Sequence, residues 1–125
     1  MNITTGVDII EISRIEKMLK EFEDNFKNRV YTKNEIDYCE SSKVNMYQRY
    51  AVRFAAKEAV YKALNVLNND EVNWKSIEIL KDENQRPYIK LYDGLQEYME
   101  KIEKIDVSLS HINEMAIANA VVLWK

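Results

Sequence analysis

Apolar residues change their spacing several times along the chain, and each change marks an element. Residues 3–12, ITTGVDIIEI, are rich in β-branched side chains and predict a strand. Gly6 stands near its middle, where glycine signals a bulge or a close approach by another part of the molecule. The period then lengthens. Ile15, Met18, Leu19, Phe22 and Phe26 share one face of an amphipathic helix, and Ser13 and Glu16 have the spacing of a capping box at its start. A second box, Thr32 to Glu35, opens a short helix containing Ile36, Tyr38 and Cys39, and SSKVN at 41–45 breaks it. From Met46 to Leu67 runs the longest helical pattern, apolar nearly all the way round, as in a helix buried inside a domain or at an oligomer interface.

The second half reads as shorter pieces. NNDEVN at 68–73 is a polar loop, and SIEILKDENQRPYIKLY gives strand, turn and strand. Gly94 to Lys104 suits a short helix with Leu95, Tyr98, Met99 and Ile102 inward. In DVSLSHINEMAIANAVVLWK, Val107 and Leu109 alternate with Ser108 and Ser110, Asn113-Glu114 turn, and AIANAVVLW completes a hairpin. The pattern predicts an α+β fold, a small antiparallel sheet packed on one long helix and several short ones.

Composition narrows the function. A chain of 125 residues with 46% hydrophobic and 31% charged side chains fits one domain over 1–125 with a modest core. A net charge of −3 disfavours nucleic-acid binding. No apolar run reaches the ~18–20 residues that span a bilayer. MNITTGVDII lacks the features of a signal peptide, and Cys39 has no partner for a disulfide, so a reducing cytoplasm is expected. One cysteine and one histidine make a zinc site improbable.

The chemistry concentrates in FAAKEAVYKAL, residues 54–64, an apolar helix that nonetheless carries Lys57, Glu58 and Lys62. Glu58 and Lys62 stand four apart and share a face, so read alone they form an ordinary i,i+4 ion pair. The neighbouring Ala55, Ala59 and Ala63 leave room for a ligand beside them. Asp8 is a second carboxylate in an apolar strand, either solvent-facing or held by a cation. With Glu58 it makes the minimal set that Mg²⁺ prefers, and Lys62 would meet a phosphate on the same ion. His111 follows Ser108 and Ser110 on its strand, which permits an anion site; read alone it is a surface or packing residue. Arg53 and Lys57 would form a basic strip, or a solvated helix edge, next to Glu58.

Together GVDIIEISRIEK at 6–17, RFAAKEAVYKAL at 53–64 and DVSLSHINEMAIANAVV resemble, in order and spacing, the holo-acyl-carrier-protein synthases, the short bacterial branch of the 4′-phosphopantetheinyl transferases. The likeness implies Mg²⁺-dependent transfer of phosphopantetheine from coenzyme A to a serine of apo acyl carrier protein, releasing adenosine 3′,5′-bisphosphate, in fatty acid biosynthesis. It implies that Asp8 and Glu58 hold the metal, that Lys62 contacts the pyrophosphate, and that the serine proton goes to Glu58 or to a water on the ion. Ser110 and His111, with Arg53, would reach the 3′-phosphate of coenzyme A from the neighbouring subunit of a homotrimer. Asn84, Arg86 and Pro87 would lie beside the adenine, and Arg14 with Lys17 would meet an acidic helix of the carrier. Three features depart from the family pattern: Asn65 to Asn69 replace a Gly-rich turn, Gln85 replaces a glycine, and acids dilute the basic face of the first helix. The altered turn keeps a rival open, a coenzyme A-binding oligomer without activity.

Overall fold

A Cβ built on Gly6 would lie 2.0 Å from the carbonyl oxygen of Ala59 and 2.8 Å from the nitrogen of Ala63. Strand and helix therefore touch backbone to backbone. The computed structural model describes residues 2–64 and 73–125, and the expectations for the turn at 65–69, for most of the loop at 68–73 and for helix beyond Leu64 lie outside them. In chain order come β1 (Asn2–Glu11), α1 (Ile12–Val30), α2 (Lys33–Glu40) and α3 (Met46–Leu64). A 3-10 turn (Trp74–Ser76), β2 (Ile77–Lys81) and β3 (Pro87–Leu91) follow, then α4 (Gln96–Lys101), β4 (Ile102–His111) and β5 (Met115–Trp124). The α+β architecture matches the sequence pattern. An antiparallel sheet runs β1-β5-β4, and β2 and β3 form a separate ribbon.

The period-2 alternation sets two unequal faces on the sheet. Gly6 and Ile10 of β1, Val107 of β4, and Ala116, Ala118, Ala120 and Val122 of β5 are buried toward α3. The β1–β5 register passes through Gly6↔Ala120 without interruption, so Gly6 marks a close approach and no bulge. Ala55, Ala59 and Ala63 are fully buried as well. The space beside these alanines is filled by the sheet backbone, so the opening next to Glu58 is not made by them. Thr4 Oγ1 donates to Ala63 O at 2.5 Å and accepts from Trp124 Nε1 at 2.8 Å, closing the end of this contact.

The helices follow their patterns with instructive differences. At α2 the expected capping box forms: Glu35 N donates to Thr32 Oγ1 (3.3 Å) and Thr32 N to Glu35 Oε1 (2.8 Å). At α1 it does not. The chain passes directly from β1 into a helix that starts at Ile12, whose N–H donates to Glu114 O at 2.9 Å, so Ser13 falls inside the first turn and cannot cap it. α1 extends to Val30 across a break at Glu23 (φ 46°), and Phe22 is half exposed. α4 is shorter than its pattern, because Ile102 already begins β4, and Met99 points to solvent at 51% exposure.

Lys57 is the chief surprise. It does not join Arg53 on a helix edge; it is 0% exposed, as is its partner Glu35, 2.7 Å away. Its ammonium also donates to the carbonyls of Val30 (2.8 Å), Trp74 (3.0 Å) and Ile77 (2.8 Å). Glu35 Oε2 accepts from Ile79 N at 2.9 Å. Nearby, the buried Glu78 accepts from Thr32 Oγ1 (2.5 Å) and Tyr92 Oη (2.8 Å). Every strong group has a partner, which is the condition for burying charge at all.

Removing one member of this pair strands the other. Lys57→Met is expected to cost about 3–5 kcal/mol in urea unfolding. Adding Glu35→Leu to it should cost less than the same change costs in the wild type, so that the double variant is more stable than the sum of the single changes. Additive losses in that cycle would show that the pair is not coupled.

Candidate active site

Asp8 lies on the inner face of β1 between Gly6 and Ile10, and this placement turns its side chain toward α3. The carboxylate is 18% exposed. Lys62 Nζ donates to Val7 O at 2.9 Å and approaches Asp8 Oδ1 at 3.4 Å. Glu58, one turn before Lys62, lines the same cleft as Asp8 and Arg14. The cleft measures about 230 Å³, and behind the charges its wall is apolar: Ile15, Met18, Phe26 and Phe54.

Burial raises the Glu58 carboxyl above its ordinary value, the charge of Asp8 pushes it further, and Lys62 opposes both. Burial likewise raises Asp8, against the charge and hydrogen bond of Lys62 and the charge of Arg14. Two carboxylates that resist ionising beside each other are the setting in which a divalent cation binds favourably. Among the described residues no group of three His, Cys, Asp or Glu converges. A pair of hard oxygen donors with open surroundings fits Mg²⁺, which takes one or two carboxylates and completes its shell with water and substrate phosphate.

The remaining predicted residues gather elsewhere. Arg53, Ser110 and His111 line a second cavity of about 290 Å³, together with Tyr38, Arg49 and Lys81. Gln48 Nε2 lies 2.7 Å from His111 Nε2 and ties α3 to the end of β4. Arg53 is 3% exposed and reaches the cavity from within the core, so it is no solvated edge residue. Arg86 and Pro87 line a third cavity, about 540 Å³, with Lys81, Asp106, Ser108 and Asn119. Lys81 and Leu109 line both of these cavities, which are therefore neighbours. Arg86 Nη2 meets Asp106 Oδ2 at 2.7 Å. Asn84 sits in the adjoining turn, which Asp82 holds: its Oδ1 accepts from Asn84 N (2.8 Å) and Arg86 N (3.0 Å). Gln85 holds φ 66°, the left-handed conformation that glycine adopts without cost, so the turn keeps the glycine shape with a side chain added.

Within one chain, then, the structure brings together Asp8, Glu58 and Lys62 with Arg14, and separately joins Arg53, Ser110 and His111 to the 84–87 turn. The carboxylate cleft and the cationic groove share no lining residue. Lys17 is exposed on α1 and lines neither, and Lys20 pairs with Glu16 at 3.7 Å. Sequence reasoning missed Arg49, Lys81 and Tyr38. The first two looked like ordinary surface cations, and only the Arg49–Arg53 spacing of four, one helical face, hinted at convergence.

Residues 4–120 match the family model of the 4′-phosphopantetheinyl transferase superfamily. The holo-[acyl-carrier-protein] synthase of Ruminiclostridium cellulolyticum is 43% identical over 98% of this chain and 92% of its own length. The Helicobacter pylori holo-[acyl-carrier-protein] synthase, solved in complex with coenzyme A, superposes with a TM-score of 0.82 at 35% identity, covering 95% of this chain and 99% of that one. A Bacillus anthracis holo-(acyl-carrier-protein) synthase, solved with CoA (3′,5′-ADP), gives 0.77 at 33% identity over 95% and 94%.

The raised carboxyl of Glu58 has a sign that can be checked. Its charged form is disfavoured in the fold, so it binds protons more tightly folded than unfolded, and stability from this group falls as pH rises through the ordinary carboxylate range. Glu58→Gln should therefore melt above the wild type at pH 7 in chelator. The difference should close on acidification below about pH 4, where the wild-type carboxyl is neutral in both states. A variant that melts lower at pH 7 would contradict this electrostatic account.

Proposed function

The chain belongs to the 4′-phosphopantetheinyl transferase superfamily, and from that premise we propose that it acts as a single-domain, cytoplasmic holo-acyl-carrier-protein synthase. The reaction moves 4′-phosphopantetheine from coenzyme A to a serine of apo acyl carrier protein and releases adenosine 3′,5′-bisphosphate. The observation that carries this reading is the coupled pair Asp8 and Glu58 at the polar rim of an otherwise apolar cleft, with Lys62 beside it. Asp8 and Glu58 would hold Mg²⁺, which when bound neutralises pyrophosphate charge and supports phosphoryl transfer. Lys62, already paired with Asp8, would turn to the pyrophosphate and stabilise the leaving group. The apolar wall would exclude water from the acceptor serine, and Arg14 at its edge, with Lys17, would receive an acidic carrier surface.

Assembly follows from what the single chain leaves open. The outer face of the sheet exposes Ile3, Val7 and Ile9 on β1 and Ile117 and Val121 on β5, a contiguous apolar surface of the kind that marks an interface. Val121 and Asn119 of that face also wall the cavity of about 540 Å³ that holds Arg86 and Pro87, so a neighbour packed there would roof it. Homotrimerisation would set the carboxylate cleft of one subunit against the Ser110–His111 groove of the next. This supplies in two chains the parts that one chain keeps apart.

Incubation with coenzyme A, Mg²⁺ and apo acyl carrier protein should add the mass of phosphopantetheine to the carrier. Glu58→Gln should slow transfer at least a hundredfold. The absence of any adduct with a competent carrier would end this assignment. In sedimentation the protein should run as three chains, and Ile9→Lys should shift it to one chain with loss of coenzyme A binding. A wild-type monomer with full activity would refute the shared site.

A further inference from the structure

One aromatic ring collects the charges of the cationic groove. The ring centroid of Tyr38 lies 4.0 Å from Arg53 Cζ, 4.3 Å from Arg49 Cζ and 5.2 Å from Lys81 Nζ. Positive charges this close repel, and no Asp or Glu lines the cavity to balance them. What offsets the repulsion is the negative face of the phenol ring. Arg49 is fixed further, because its Nη1 donates to Tyr38 O (2.8 Å) and Ser41 Oγ (2.9 Å). Burial raises the Tyr38 hydroxyl, but the nearby cations Lys81, Arg53 and Arg49 outweigh it and leave the group below its ordinary value. Arg53 Nε is the buried side-chain polar atom that lacks a hydrogen-bond partner among the described residues.

We infer that Tyr38 is a positioning residue, whose ring holds Arg49, Arg53 and Lys81 convergent so that the anion bound beside Ser110 and His111 meets a preassembled trio. The inference rests on the reading of this groove as the 3′-phosphate end of the coenzyme A site and extends it to three residues outside that reading's set. Ordering three long side chains beforehand removes an entropic cost from binding. Without the ring, mutual repulsion would spread the cations toward solvent, and the ligand would have to gather them again.

Calorimetric titration with coenzyme A and with 3′-dephospho-coenzyme A separates this role from a structural one. The wild type should bind coenzyme A more tightly than its dephospho form. Tyr38→Leu should weaken coenzyme A about tenfold and leave the dephospho form within twofold, with kcat at saturation retained. Tyr38→Phe, which keeps the ring, should restore most of the affinity. Arg49→Met, a change on a partly exposed side chain, should weaken coenzyme A several-fold and spare the dephospho form. Equal losses toward both ligands, or a Tyr38→Leu protein that still discriminates like the wild type, would overturn the role of Tyr38 alone. A wild type that binds both ligands equally would overturn the anion-site reading and this role with it.

Discussion

The buried pair Lys57–Glu35 is the interaction on which the arrangement depends. An ammonium group without water requires several oxygen acceptors, and these come from four separate segments: the end of α1, the start of α2, the 3-10 turn and the start of β2. The pair therefore works as a joint. It adds little net stability, since desolvation cancels much of the attraction, but the geometry that satisfies it is narrow. Glu58, the next residue, is about 100° further round α3. Fixing Lys57 toward the ribbon thus fixes Glu58 toward the cleft.

The opposite side of α3 is set by size where the Lys57 side is set by charge. Glycine on β1 and alanines on α3 and β5 let the helix axis approach the sheet until only backbone separates them. That distance brings Asp8, two residues beyond Gly6 on the same face, to the helix turn carrying Lys62. A larger residue at Gly6 would push the two carboxylates apart before it altered either of them. The same small residues were ambiguous as letters. Alanine beside a charge can mean space for a ligand or space already taken by a strand, and only the partner strand decides between them.

Periodicity carried most of the elements, because strands with one buried face and amphipathic helices have to alternate in register with the core. It failed where a signal had two physical outcomes. Ser13-x-x-Glu16 and Thr32-x-x-Glu35 have the same spacing, yet only the second caps a helix. The difference is tertiary: Glu35 is also held by Lys57 and by Ile79 N, whereas the first helix continues directly from a strand and begins two residues too early. The carboxylates and Lys62 were legible as a set, since charges inside apolar runs are rare and costly. Lys57 was not, because its partner lies 22 positions earlier on a different helix, beyond any local pattern. Arg49 and Lys81 escaped notice for the opposite reason, as charges in unremarkable polar surroundings.

Charge is sorted in this molecule in a way its total conceals. The chain carries a net −3, yet Arg49, Arg53 and Lys81 crowd the cavity beside Ser110 and His111, whose own lining includes no acid, and Asp8 and Glu58 crowd a cleft of their own. Each cluster is unfavourable in isolation, by self-repulsion and by partial burial. A ligand that is anionic along its length and carries a divalent cation at one end would relieve both at once. In the trimer proposed above that relief would come between chains, and the ligand itself would become part of what holds the subunits in register. The electrostatic strain of the lone chain and the proposed assembly would then have one cause, the division of a polyanion site into halves of opposite sign.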